Sequence, residues 1–131
     1  MKLAVVVEDQ DTISQHFGRA PYYLVYTIEN GRIRGRELRD KPGHRQFASE
    51  PHVHDHQHEH GMDAHSAHKH DQMIAPIADC EALIVRGMGR GAYMALEQAQ
   101  IRPFVTDVSR PDAAVQAYLD GSLTNHPEKL H

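Results

Sequence analysis

Five histidines, His52, His54, His56, His58 and His60, occupy alternate positions of one short stretch. In an extended chain alternate side chains share a face and stand roughly 6.5 Å apart. Neighbouring imidazoles on a flexible segment can therefore converge on one ion. His65, His68 and His70 add further nitrogens, and Asp55, Glu59, Asp63 and Asp71 are carboxylates that could ligate or orient the imidazoles. Zinc takes nitrogen at about 2.0–2.1 Å, usually with four ligands. Imidazole suits zinc, nickel and copper alike, so the ligand types do not choose among these divalent ions. The redundancy of ligands fits a flexible metal-binding tract as well as one defined site. Two plainer readings stand beside it: a solvated loop with adventitious metal affinity, and a histidine pH switch. In the tail, His126 and His131 are further candidates to join a metal site from elsewhere.

Two other segments carry chemistry. Ser14-Gln15-His16-Phe17-Gly18-Arg19-Ala20-Pro21 supplies a hydroxyl, an imidazole and a guanidinium within six residues. Gly87-Met88-Gly89-Arg90-Gly91 lies between an apolar run and an amphipathic segment. Glycines there let the backbone turn sharply and leave helix N–H groups facing an anion. The segment lacks the Lys-Ser/Thr of a P-loop and the full G-x-G-x-x-G spacing, so no nucleotide site follows from it. The expectation is that both segments meet at a cleft. Ser14, His16, Arg19, Gly87, Met88, Gly89 and Arg90 would hold an anionic ligand there. Cys80 is a lesser candidate ligand, expected to pack as a small hydrophobe.

These segments need a scaffold, and the chain has one. It holds 131 residues, enough for one domain, with 40% apolar residues, net charge −4 and a single cysteine. The shortage of apolar residues is local. Residues 42–70 hold only Phe47, Ala48, Val53, Met62, Ala64 and Ala67, together with nine of the twelve histidines. The remainder has ordinary globular density, so 42–70 reads as an inserted loop in a single domain over 1–131. The net charge argues against a nucleic-acid binder with a broad basic surface. One cysteine rules out an internal disulfide and an all-cysteine cluster site within one chain. The first apolar run is too short for a signal or a membrane span. A soluble cytoplasmic protein with no nucleic-acid or membrane partner is expected.

Leu3–Val7 and Ala82–Val85 are continuous apolar runs, expected as adjacent central strands. Pro21–Glu29, rich in aromatic and branched residues, reads as a strand. Asn30-Gly31 turns it back into an arginine-studded edge strand over Arg32–Arg39. Residues 8–19 read as loop, and 71–78 as a short helix troubled by Pro76. Ala92, Ala95, Leu96 and Ala99 recur with helical spacing, and Arg102–Thr106 is a short strand. Ser109 with Asp112 suggests a capping box, with Pro111 in the first turn. Ala114, Val115, Tyr118 and Leu119 make the apolar face of that helix, and Gly121 is its expected C-cap. A hairpin followed by βαβ crossovers gives an α/β fold with a mixed five-stranded sheet.

The residues also resemble a known family. Ser14-x-His16-Phe17-Gly18-Arg19-Ala20-Pro21, Asp79-Cys80-x-Ala82-Leu83-Ile84 leading to Gly87-Met88-Gly89, Ala95-Leu96 with Ile101, and Ala114-x-x-Ala117-Tyr118-Leu119-x-Gly121-x-Leu123 are similar to dinitrogenase iron–molybdenum cofactor biosynthesis proteins, or nitrogenase accessory factors. The resemblance spans nearly the whole chain outside the insert. It implies a three-layer α/β/α, ribonuclease H-like fold with a five-stranded mixed sheet. It also implies non-enzymatic binding or carriage of an iron- or molybdenum-containing sulfur cluster or its precursors, with a cofactor-assembly protein as partner. The long histidine insert departs from that family and favours a simpler ion. A second reading is a regulatory or interaction domain binding a small anion at Gly87–Gly91. A two-metal nuclease needs carboxylates converging on a metal pair. Strand Leu3–Val7 carries none, and Glu8, Asp9 and Asp107 sit at strand ends.

Overall fold

A computed structural model of the chain describes residues 1–41 and 72–130. The inserted segment 42–70 therefore lies outside the described residues. The elements are β1 (Lys2–Asp9), β2 (Thr12–Ile13), β3 (Tyr22–Glu29), β4 (Arg32–Asp40), β5 (Ala82–Val85), α1 (Arg90–Gln98), β6 (Arg102–Val105) and α2 (Pro111–Asp120). A helical stretch at 72–74 runs on into a 3-10 turn, Ala75–Ile77, whose first positions accommodate Pro76. A second 3-10 turn, Pro127–Lys129, closes the tail.

The sheet has six strands rather than the expected five: the order is β4-β3-β1-β5-β6, and the short β2, from a segment expected to be loop, pairs with β1 off this path. β1 pairs parallel with β5 (Leu3 with Ala82, Val5 with Ile84) and antiparallel with β3. β5 and β6 are parallel, and β3 and β4 antiparallel, so the sheet is mixed. The two most apolar runs are neighbours at its centre, because only there are both faces covered. The β3–β4 turn places Asn30 at φ 55° and Gly31 at φ 74°, a left-handed pair that matches strand twist. β4 is the edge strand, exposed along nearly its whole length.

Alternation along β1 divides the core in two. Ala4 and Val6 join a cluster with Phe17, Tyr23, Leu83, Val85, Met88, Ala92 and Leu96. Leu3, Val5 and Val7 join another with Ile13, Leu24, Tyr26, Ile84, Ala114 and Val115. α1 thus buries its stripe in one cluster and α2 in the other, as the period-2 pleat dictates.

Three local expectations are corrected. Residues 8–19 are not all loop: Ile13 is buried, pairs with Val7, and donates its N–H to the Ser109 carbonyl at 2.9 Å. The Ser109–Asp112 capping box does not form. Arg110 is the N-cap, without a side-chain cap bond. The Asp112 carboxylate instead accepts from the Tyr26 hydroxyl and from Arg36 at 2.9 Å. Tertiary donors have outbid the local backbone. Ala99 is not on the buried stripe of α1; it is the exposed C-cap. Pro111 in the first turn and Gly121 at the C-cap, φ 79°, stand as read.

Candidate functional site

The segment after β2 and the turn after β5 are joined backbone to backbone. The Phe17 N–H donates to the Gly87 carbonyl at 3.1 Å, and the Arg86 N–H to the Ser14 carbonyl at 2.9 Å. Gly87 is where the two segments come closest. A Cβ there would stand 2.3 Å from the Gln15 carbonyl oxygen, which no side chain tolerates. The expected meeting of the two segments is therefore a physical junction. It lies at the carboxyl end of β5, the side on which parallel strands present ligand-binding loops.

Within the junction the named residues divide by role. The Ser14 side chain is buried; its hydroxyl donates to Glu8 at 2.6 Å and accepts the His16 N–H at 3.0 Å. The His16 carbonyl accepts the N–H groups of Arg19 and Ala20, both at 3.1 Å, closing a tight turn. Ser14 is thus committed to shaping the loop. The side chain of Met88 is also withdrawn, 1% exposed in the first core cluster, so only its backbone can meet a ligand. Phe17 packs inward beside it. His16, Arg19 and Arg90 remain exposed. Gly89 is the N-cap of α1, extended at φ −83°, ψ 164°, and no side chain caps the helix. The first-turn N–H groups of α1 and three exposed nitrogen-bearing side chains are what this region offers a ligand.

Two cationic residues carried no signal in the sequence. Arg86 follows the apolar run of β5; its Nε is buried with no hydrogen-bond partner among the described residues, although its charge acts on the Asp107 carboxylate. A buried guanidinium donor without an acceptor is costly, and an anion would satisfy it. Lys41 ends the β4 hairpin, and its N–H donates to the Pro21 carbonyl at 3.0 Å. It is buried, with Nζ 4.6 Å from the Phe17 ring centroid, 5.9 Å from that of Tyr23 and 3.8 Å from Met73 Sδ. Burial pulls its ammonium down to about 8. Neither could be read from the sequence. Lys41 follows a polar strand, and only the tertiary fold brings Phe17 and Tyr23 to it.

The sulfur candidate is closed. Cys80 is buried in the first core cluster, and burial, with Asp79 beside it, pushes its thiol up to about 12. It is a packed hydrophobe, not a thiolate. Asp79 itself is held well below the usual carboxylate range by Arg39, which reaches it at 2.9 Å. Among the described residues no group of three or more His, Cys, Asp or Glu is placed to hold a metal ion. The metal candidates His52, His54, His56, His58, His60, His65, His68 and His70 lie outside the described residues, as do Asp71 and His131. His126 is not a loose tail ligand. Its N–H donates to the Val105 carbonyl at 2.9 Å, while Nδ1 lies 2.9 Å from Glu128 and Nε2 3.4 Å from Asp107. With Asn125 accepting from the Val105 N–H at 2.8 Å, the tail covers the outer edge of β6. No helix among the described residues is long and apolar enough to cross a membrane.

Comparison with known proteins places this architecture. The Methanocaldococcus jannaschii protein MJ0580 is 27% identical over 123 residues, which are 94% of this chain and 89% of that one. The crystal structure of PH0822 superposes with a TM-score of 0.68 at 20% identity, covering 98% of both chains. The apo form of the orange protein from Desulfovibrio gigas superposes with a TM-score of 0.61 at 22% identity, covering 96% of this chain and 92% of that one. These two structures share the fold. Residues 1–121 match the family described as dinitrogenase iron-molybdenum cofactor. The mixed sheet, the Ser14–Pro21 segment locked to the Gly87 turn and this match agree: the chain belongs to the dinitrogenase iron-molybdenum cofactor family.

Proposed function

We propose that this protein is a non-enzymatic carrier of metal or of a metal–sulfur cluster, working with a cofactor-assembly partner. Its core is read as a three-layer α/β/α unit of the ribonuclease H-like kind, an arrangement supported by α1 and α2 burying their stripes in separate clusters. The cargo at the junction would be an anion. The observation that carries this is the set of donors gathered there: the uncapped start of α1, the exposed guanidinium groups of Arg19 and Arg90, the exposed His16 ring, and the buried Arg86 Nε, which has no hydrogen-bond partner among the described residues. No thiolate is offered, since Cys80 is packed and protonated. A cluster held here would be recognised by charge, N–H donors and the His16 imidazole rather than by cysteine ligation.

The insert has a separate role in this reading. Residues 52–70, with eight histidines, take up divalent zinc, nickel or copper with modest affinity. Ordering the loop costs roughly 1–2 kcal/mol per residue fixed. Binding weakens below about pH 6.5, because a protonated imidazole cannot ligate. The test is calorimetric titration of zinc and nickel into the intact chain and into a chain lacking 52–70, beside titration of tetrathiomolybdate into the intact chain and into the Arg90→Ala and His16→Ala variants. Loss of zinc uptake on deletion supports the insert. Equal uptake by both chains refutes it. Unchanged thiomolybdate affinity in both point variants refutes the junction site.

The alternative, a regulatory domain binding a small anion at Gly87–Gly91, rests on the same uncapped helix start. It predicts that phosphate or a simple carboxylate competes fully with the thiometallate.

A further inference from the structure

A cavity away from the junction shares no residue with it. It occupies about 450 Å³ between the carboxyl end of α1, strand β6 and the tail, and is lined by Tyr93, Glu97, Gln100, Ile101, Arg102, Pro103, Phe104 and Asn125. That size is within the range of small-molecule sites, roughly 300–1,000 Å³. We propose that this cavity binds a small zwitterion with an apolar side chain, namely a free α-amino acid.

Four features carry the assignment. Arg102 stacks over Phe104 at 5.2 Å, so its guanidinium is held in place by a ring rather than by an acid. Among the described residues neither Arg102 nor Glu97 forms an ion pair or a side-chain hydrogen bond, although both line the same space. An acid and a base that line one cavity without pairing to each other suit a ligand that carries both charges. The guanidinium fork takes a carboxylate, and Glu97 takes an ammonium at the end of α1 where the helix dipole favours a cation.

Tyr93 supplies a third polar contact. Its hydroxyl accepts from Asn125 Nδ2 at 2.9 Å, which leaves its own proton to donate to the carboxylate. Ile101, Pro103 and the Tyr93 ring give the apolar wall for the side chain.

Gln100 is the fourth feature. It sits at φ 65°, in the left-handed region, and closes α1 through Gln100 N–H to the Glu97 carbonyl at 3.0 Å and Ile101 N–H to the Leu96 carbonyl at 2.9 Å. Glycine is the favoured residue for this helix ending. A glutamine here is strained, and the residue lines the cavity. In the proposed site the Gln100 side chain would give the ammonium an acceptor in addition to Glu97.

The edge of β6 is also unsuited to a strand partner. The tail already takes the Val105 N–H and carbonyl, and Pro103 has no N–H to give. The space is left to a small molecule.

The experiment titrates the isotope-labelled full chain with L-phenylalanine, N-acetyl-L-phenylalanine and L-phenylalaninamide, following backbone amide shifts. Saturable shifts confined to residues 93–104 and 125, with each singly charged analogue at least about fivefold weaker than the zwitterion, support the site. Arg102→Met should remove the preference over the amide, and Glu97→Gln the preference over the N-acetyl form. Gln100→Gly should weaken binding while leaving the fold at least as stable, which separates ligand contact from folding. No saturable shift, equal affinity for all three probes, tighter binding of the N-acetyl form, or indifference to Arg102→Met overturns the proposal.

Discussion

Replacing Lys41 by methionine should stabilise the protein at neutral pH. The ammonium is buried, and its pKa falls from 10.5 to about 8 because burial disfavours the charge. A drop of roughly 2.5 units corresponds to about 3 kcal/mol of differential stabilisation at about 1.36 kcal/mol per unit. Two aromatic rings oppose this by attracting the cation, at 4.6 Å for Phe17 and 5.9 Å for Tyr23. That attraction is worth about 1–2 kcal/mol in a desolvated site. Desolvation wins, and Lys41→Met should gain about 1–2 kcal/mol at pH 7. The pH dependence follows from the same shift. Between pH about 8 and 10.5 the unfolded chain binds more protons at this residue than the folded one, so stability rises with pH. Cys80 acts oppositely from about pH 8 upward: its folded thiol stays protonated to about 12, while the unfolded thiol, with its ordinary value of 9.0, ionises first. The most useful window is pH 8 to 9, where Lys41 adds about 1 kcal/mol of stability and Cys80 offsets about a third of it, so the wild type rises by roughly 0.6 kcal/mol. Urea denaturation of both proteins from pH 7 to 9 measures it. A variant less stable at pH 7, or one that keeps the wild-type rise between pH 8 and 9, would refute the reasoning.

Gly87→Ala forces a Cβ to 2.3 Å from the Gln15 carbonyl oxygen and should cost about 2–3 kcal/mol, whereas Gly35→Ala, with open space around its Cα, should change urea stability by well under about 1 kcal/mol. Tyr26→Phe removes the hydroxyl shared with Asp112 and should lower stability by about 1 kcal/mol, with Asp112→Asn showing a non-additive effect in the double variant. Cys80 should resist iodoacetamide in native buffer at pH 8 and react promptly in urea, read by mass spectrometry, since its thiol is buried and protonated.

Much of the scaffold was legible because it rests on local chemistry. The apolar runs at 3–7 and 82–85 must sit where both sheet faces are covered, and they do, as parallel neighbours. Asn30-Gly31 specifies its turn through backbone sterics alone, and Gly121 ends α2 for the same reason. The joining of the Ser14 and Gly87 segments could be expected from strand direction. Their backbone register, and the bonds that make Gly87 irreplaceable, exist only once both strands are paired.

The corrections share a cause. Asp112 had a local partner in the helix start and took Tyr26 and Arg36 instead, because a buried hydroxyl on a strand 86 residues away needed an acceptor. Ser14 and Met88 carried the right types for a binding site, yet packing turned the hydroxyl to Glu8 and the thioether into the core. Lys41, Arg86 and the cavity beside Gln100 had no signature in the sequence, since their environments are assembled from β3, β5, α1 and the tail together. The sequence by itself determined which segments are strands and helices, because sterics and hydrophobic period act within a few residues. Only the tertiary structure decided which polar groups are left unsatisfied, because burial and pairing depend on residues far apart in the chain.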